Sequence, residues 1–387
     1  MPLAVWRLTV AYSLMMAGTS LMVLLAGIIG QDFAPSAGLA TLPIALIVVG
    51  LAASTLPTGR LLSRFGRRRV FIAYGLLAIV AALAALQSLV RDSFIGFCTA
   101  AVLMGWSAAA GHQYRFAALE AVPAERAAKA TSVLLFGGIL AAFIGPEIAV
   151  RGRYLLATEY AGSFLLLTLS YLARLLLISF HSDRALAETG QGGAGRPLVE
   201  ILRSPVVLLA VSSAALGYGI MSLLMTATPI SMHTHAGHSL EATKFVIQSH
   251  IAAMYLPSLL YAGLHRRWGH RGLLWSGVGI YALCLLIAAL NSEFLTYWSA
   301  LVLLGIGWNF LFLSGTNLLP HGYRPSERFR VQSVNDFLVF SVQALVSLGS
   351  GWLLYHWQWN GIIYACMPLV AAFVVLLIVY RKTINLY

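Results

Sequence analysis

Charge is scarce in this chain: 10% of its 387 residues are Asp, Glu, Lys or Arg, and only 13 of them are acids. Soluble domains run near 25% charged, so an ordinary water-soluble fold is excluded. The few acids are scattered, whereas enzymatic acid–base work needs groups converging at one depth; the chain is read as not an enzyme. Cysteine is nearly absent, with Cys98, Cys284 and Cys366 far apart in apolar runs. That spacing fits neither a disulfide framework nor a metal-binding CxxC pair, and the three read as small apolar filler. No strand-like alternation is sustained, which excludes a barrel. There is no stretch for a soluble output domain of the kind a sensor would carry. Although the net charge is +12, the basic residues form short clusters without an aromatic-interleaved face, so nucleic acid is excluded as a partner.

What is abundant is apolar sequence, 59% of the residues. A bilayer core about 30 Å thick takes roughly 20 apolar residues per helix. Runs of that kind start near Val5, Thr41, Val70, Ser93, Thr131, Ala161, Pro205, Phe245, Gly272, Phe294, Val331 and Gly361. The fold class is therefore an all-α integral membrane protein of twelve transmembrane helices, with the lipid bilayer as its first partner. The run after Arg7 lacks a small-residue cleavage site and is read as the first span, not a cleaved leader. Placing both termini in the cytoplasm puts nearly all arginines and lysines on that side and leaves Arg91, Arg151, Arg153 and Lys244 on the other, as the positive-inside rule requires. Arg174, near the end of the sixth run, is expected to snorkel to the cytoplasmic surface. Glu147, Asp336 and Asp32 are read as helix-end acids, and His112 as lining the path or ending the fourth helix.

The chain repeats itself. Arg64-Phe65-Gly66-Arg67-Arg68 is echoed by Arg267-Trp268-Gly269-His270-Arg271, Pro123-Ala124-Glu125-Arg126 by Pro325-Ser326-Glu327-Arg328, and Trp106 by Trp308. The expectation is two pseudo-symmetric six-helix halves, residues 1–180 and 203–387, joined by a cytoplasmic linker over 181–202. Such halves place a substrate path at their interface.

Two doublets on consecutive runs suggest a ligand set. Met221 and Met225 share one helix face, as do His250 and Met254, because residues i and i+4 lie one above the other. At about 1.5 Å rise per residue both doublets sit at similar depth. Thioether and imidazole together suit Cu(I), and intramembrane histidines tend to be functional. The metal residues are therefore taken as Met221, Met225, His250 and Met254, with His233, His235 and His238 on the outer turn as a capture point. Packing remains the alternative for each group taken alone.

Two resemblances add to this. Gly59-Arg60-Leu61-Leu62-Ser63-Arg64-Phe65-Gly66-Arg67-Arg68 resembles the loop between spans two and three of the major facilitator superfamily, which usually has Asp where this chain has Ser63. Gly137-Gly138 and Gly145-Pro146-Glu147 resemble a shortened form of that family's glycine–proline motif on span five. The resemblance implies a major facilitator fold, rocking halves with alternating access, and gating roles for Gly59, Arg64, Gly66, Arg67, Gly145 and Pro146. The two doublets, with Thr228-Pro229, Tyr255-Leu256-Pro257-Ser258 and Gln113-Tyr114-Arg115-Phe116-Ala117-Ala118, are similar to the CcoA-type (CalT family) bacterial copper importers. That resemblance implies a monomeric copper importer of the bacterial inner membrane, serving assembly of cbb3-type cytochrome oxidase. The copper ion would be cargo, with no prosthetic group, and a cytoplasmic copper chaperone or copper ATPase would receive it. A related branch imports riboflavin on the same scaffold, so riboflavin or another small organic solute stays open as the alternative.

Overall fold

The computed structural model describes residues 1–114, 117–118, 121–123, 127–180, 196–324 and 327–384. Residues 181–195 of the expected linker, Arg115 and Phe116, and Ala124, Glu125, Arg126, Pro325 and Ser326 of the second repeat landmark lie outside them. The long helices are α1 (Leu3–Phe33), α2 (Leu42–Phe65), α3 (Arg67–Val90), α4 (Phe94–His112), α5 (Ala127–Arg151) and α6 (Ala161–Ser179). A short helix, Leu198–Leu202, leads into α7 (Pro205–Pro229), α8 (Leu240–Tyr255), α9 (Tyr261–Ala288), α10 (Phe294–Leu318) and α11 (Arg328–Val379).

Among the described residues, nine helical segments are long and apolar enough to cross a membrane. One of them, in α11, contains two spans. Its 52 residues would run about 78 Å as one rod, but Gln358, with φ 56° and ψ −163°, breaks it after Trp357. The helices α5 and α8 supply the remaining two of the twelve expected runs. Local chemistry starts and stops them. Ser93 Oγ accepts from Gly96 N (3.2 Å) and Ser239 Oγ from Ala242 N (3.1 Å), capping α4 and α8. Pro43 and Pro205 lie in the first turns of α2 and α7, where a missing N–H costs nothing. Pro257 ends α8 at Tyr255, and Asn309 Nδ2 donates to the released Met254 carbonyl at 2.7 Å.

The repeat is physical. In the first half α1 packs on α5, α2 on α4, and α3 on α4; in the second α7 packs on α11, α8 on α10, and α9 on α10. Gly66 (φ 78°) and Gly269 (φ 60°) occupy matching turns whose backbone is open mainly to glycine. The closest approaches also correspond. A side chain at Gly105 would strike the Ile47 carbonyl, and one at Gly305 the His250 carbonyl. His250 thus stands 203 positions after Ile47, the offset between Arg64 and Arg267. Small residues at such crossings let helix backbones approach where lipid offers no hydrophobic drive.

Across the halves, α2 packs on α11 and α5 on α8. On the side away from the termini the halves are closed. Ile230 lies over Gly27, Ser350 Oγ donates to Thr41 Oγ1 at 3.4 Å, and Lys244 Nζ of α8 pairs with Glu147 Oε1 of α5 at 2.9 Å. Glu147 also accepts from Arg151 Nε at 3.0 Å, and Lys244 pairs with Glu241 at 2.6 Å. Glu147 is therefore the centre of an inter-half ion-pair network, and more than a solvated helix end.

Arg174 departs from its expected place. It is 0% exposed and does not reach the surface. Its Nε donates to Tyr114 Oη at 3.0 Å, and its guanidinium carbon lies 5.7 and 5.9 Å from the Tyr114 and Tyr171 ring centroids. Two aromatic faces hold the cation inside the first half, a partnership that sequence spacing does not show. The cysteines match their reading: Cys98, Cys284 and Cys366 are buried and free.

At the side of the termini, Glu327 fastens the end of the linker to the turn between α10 and α11. Its carboxylate accepts from Arg196 N, Nε and Nη2 (2.8, 3.1 and 2.8 Å) and from Arg324 N (2.9 Å). The Arg196 side-chain hydrogen bonds and the Arg324 amide hold its pKa down to about 2. A carboxyl depressed on folding stabilises above its unfolded pKa and loses that contribution as pH falls through the folded value. We expect Glu327→Gln to lower the melting temperature in detergent at pH 7, with the gap to the unaltered protein closing between pH 4.5 and about 2. The ion-pair network yields a second expectation. A partly exposed pair is worth up to about 1 kcal/mol, roughly a fivefold shift in equilibrium. Lys244→Met or Glu147→Gln should raise the rate at which an impermeant maleimide labels a Ser350→Cys reporter by about that factor. Unchanged labelling in both would mean that apolar contacts alone close this side.

Candidate functional site

A cluster of rings on the second half meets the first half. Tyr218 of α7 is the hub. Its ring meets Trp308 at 5.2 Å, Phe312 at 5.3 Å and Phe340 at 5.6 Å, each edge to face. Trp308 and Phe312, one turn apart on α10, stack at 4.9 Å and 14°. Tyr255, at the end of α8, approaches Trp308 at 6.3 Å. The first half closes on this wall: His112 of α4 lies 5.7 Å from Phe340, and Tyr255 covers Gly138 of α5. Tyr218, Phe312, Phe340 and His112 are only half-buried. Of these, only His112 was considered for the path from sequence. The usable signal was the Trp308/Phe312 pair at i and i+4, overlooked because aromatic residues are ordinary in spans.

The two doublets share that neighbourhood without meeting squarely. Met221, Met225 and Met254 belong to one buried apolar cluster. However, α7 packs against α10 and α11, α8 against α5 and α10, and among the described residues α7 and α8 share no extensive contact. His250 turns to α10, where its Nδ1 lies 2.7 Å from the Leu301 carbonyl. That bond makes Nδ1 the protonated nitrogen and leaves Nε2 buried with no partner among the described residues. On α7, Tyr218, Met221, Ser222 and Met225 fall at i, i+3, i+4 and i+7, one continuous stripe.

The three histidines of the turn between α7 and α8 diverge. His233 Nδ1 lies 2.8 Å from the His238 carbonyl, and His238 Nε2 2.8 Å from the Ser292 carbonyl. His235 lines a separate cavity of about 330 Å³ with Asn291, Gln358 and Asn360. Among the described residues no three His, Cys, Asp or Glu side chains gather at metal-binding distance.

The gating residues divide by side. Gly145, next to Pro146 inside α5, faces the Ala17 carbonyl of α1 and so serves packing within the first half, whereas Gly138 faces the other half. At the termini side, Arg67 Nη1 donates to the Gln113 carbonyl at 3.5 Å and Arg68 Nε to the Ser179 carbonyl at 3.2 Å. These arginines tie helix ends through backbone carbonyls, whose partial negative charge favours a cation. Arg64 is exposed, its guanidinium 5.3 Å from the Phe65 ring, and Gly66 forms the turn. Gly59 has open space: a side chain there would meet nothing within 4 Å among the described residues. The halves are joined at the Glu147 network, and Gly59 lies exposed near the opposite end of α2.

Comparison with known proteins agrees with this architecture. The family model for the Major Facilitator Superfamily matches residues 8–347. Riboflavin transporter RfnT of Brucella anthropi is 35% identical over 383 residues, covering 97% of this chain and 95% of the relative. The uncharacterized MFS-type transporter YddS of Bacillus subtilis is 31% identical over 362 residues, 88% and 82% of the two chains. Among solved structures, an inward-facing bacterial homolog of the human lysosomal transporter Spinster superposes with a TM-score of 0.72 at 15% identity, over 97% of this chain and 94% of that one. An outward-facing bacterial homologue of the iron transporter ferroportin gives 0.65 at 16%, over 98% and 100%. With a family match across most of its length and helices that pack as two copies of one six-span unit, this chain belongs to the Major Facilitator Superfamily of membrane transporters.

Proposed function

We propose that this transporter imports riboflavin, or a flat heteroaromatic solute much like it, by alternating access across the bacterial inner membrane. The carrying observation is the ring wall of Tyr218, Trp308, Phe312 and Phe340 between the halves, in a chain 35% identical to a riboflavin transporter over nearly its whole length. Offset and edge-to-face aromatic contacts suit a flat ring system, each pair adding about 0.5–1.5 kcal/mol beyond its buried area. The thioethers of Met221 and Met225 lie on the Tyr218 stripe and would add soft, polarisable wall beside such a ring.

In this reading the termini lie in the cytoplasm, the side closed by the Glu147–Lys244 network faces out, and the opposite side is the one that opens to the cytoplasm. Release to the cytoplasm then requires this conformation, and loading requires the Glu147–Lys244 network to break.

Copper import finds less support. It needs Met221, Met225, His250 and Met254 around one ion, with the free Nε2 of His250 as the nitrogen ligand. The helices carrying the two doublets are each packed on other partners, and the relative with an assigned substrate is a riboflavin transporter. The two readings separate in one experiment: uptake of radiolabelled riboflavin, with cell copper measured in parallel. Expression should raise riboflavin uptake and leave copper unchanged, and Trp308→Ala should cut that uptake about tenfold while Met221→Ala leaves copper untouched. Copper accumulation that disappears in both Met221→Ala and His250→Ala, without flavin uptake, would reverse the assignment.

A further inference from the structure

Stacking alone cannot distinguish one flat ring from another, so a selective carrier needs a polar group in reach of the ring's edge. The wall between the halves contains such a group. Gln343 of α11 donates through Nε2 to Ser222 Oγ of α7 at 2.8 Å. Its Oε1 is buried and has no partner among the described residues. A buried acceptor left empty costs free energy unless something pairs with it during the protein's work.

Its position gives the pairing group a chemical class. Gln343 comes three residues after Phe340, and Ser222 four after Tyr218, so each polar residue lies one turn along the face that carries the ring. The Tyr218–Phe340 contact at 5.6 Å and the Ser222–Gln343 bond are consecutive rungs between α7 and α11, followed by Thr226–Ser347 at 3.2 Å. Ser222 takes one of the two N–H donors of the amide and fixes its direction; the buried atom left without a partner among the described residues is the acceptor oxygen. Trp308 Nε1, in the same wall, is a buried donor likewise without a partner among the described residues. No carboxylate or cation takes part in these rungs, so the complement is neutral: a flat ring whose edge carries an N–H between carbonyls.

We propose that Gln343 is a specificity-determining residue whose Oε1 accepts the imide N–H of a pyrimidinedione edge while the ring stacks against the aromatic wall. The inference rests on the flavin reading above. It makes Ser222 a positioning residue, holding the amide nitrogen so that the oxygen is left for the substrate.

The test is binding of riboflavin and of 3-methylriboflavin, in which that N–H is replaced by N–CH₃, to the purified protein, followed by flavin fluorescence quenching. The unaltered protein should bind riboflavin about tenfold more tightly than the methylated compound. Gln343→Met, which keeps the volume and suits a membrane interior, should weaken riboflavin to the level of the methylated compound and leave the latter unchanged. Ser222→Ala should lose part of the preference with Gln343 intact, and provides the same reading if the first variant does not fold. Flavin binding with no preference in the unaltered protein, or a full preference surviving both substitutions, would overturn the assignment of Gln343 while leaving flavin transport standing. Absence of binding by either compound would remove both.

Discussion

The halves of this transporter must part and rejoin while neither comes apart, so contacts within a half have to outlast contacts across it. The structure meets that constraint by using different kinds of contact. Inside each half, glycines bring backbone against backbone: Gly105 on Ile47, Gly305 on His250, Gly145 on Ala17. Such approaches are made by atoms that cannot rotate away. Between the halves, side chains make the contacts of Tyr255 over Gly138, Ile230 over Gly27, Ser350 to Thr41, and Lys244 to Glu147, alongside a close backbone approach at Gly351 on the Gly38 carbonyl. Side chains can exchange partners at modest cost, and backbone crossings cannot.

The same division explains the two ends of the molecule. On the closed side a lysine is shared between Glu147 and Glu241, and Glu147 between that lysine and Arg151. Each charge keeps a partner on its own helix when the inter-half pair breaks, so opening never strands a lone charge. At the opposite side, Arg67 and Arg68 find backbone carbonyls of their own half, and Arg196 with Glu327 ties the linker's end to the second half. Both sets of bonds survive when the halves separate around Gly59.

The halves repeat in packing and differ in chemistry. Ile47 is matched by His250 and Arg67 by His270. His250 places a polar ring at a crossing where the first half has only hydrocarbon, and its bond to the Leu301 carbonyl satisfies one nitrogen. The ring wall and the Gln343 amide oxygen, unpartnered among the described residues, also belong to α7, α10 and α11, which are all in the second half. The first half contributes the covering surface of His112 and Gly138.

Much of this was legible in the chain itself. Twelve apolar runs, the echo of Arg64–Arg68 in Arg267–Arg271, and the scarcity of acids determine a duplicated helical membrane protein, because span length and backbone satisfaction in lipid depend on composition along one dimension. The carbonyl-bonded arginines of the turn after α2 follow from a motif whose usual acid is replaced by Ser63. What composition does not contain is which face of a helix meets which neighbour, since every face of a buried span is apolar. For that reason the Met and His doublets looked opposed at equal depth, although α8 turns His250 to α10. Arg174 found two tyrosines in place of the surface, Glu147 found a lysine 97 positions away, and Tyr218, Trp308, Phe340 and Gln343 came together from three helices. Those pairings are set by helix rotation and crossing, which only the packed structure decides.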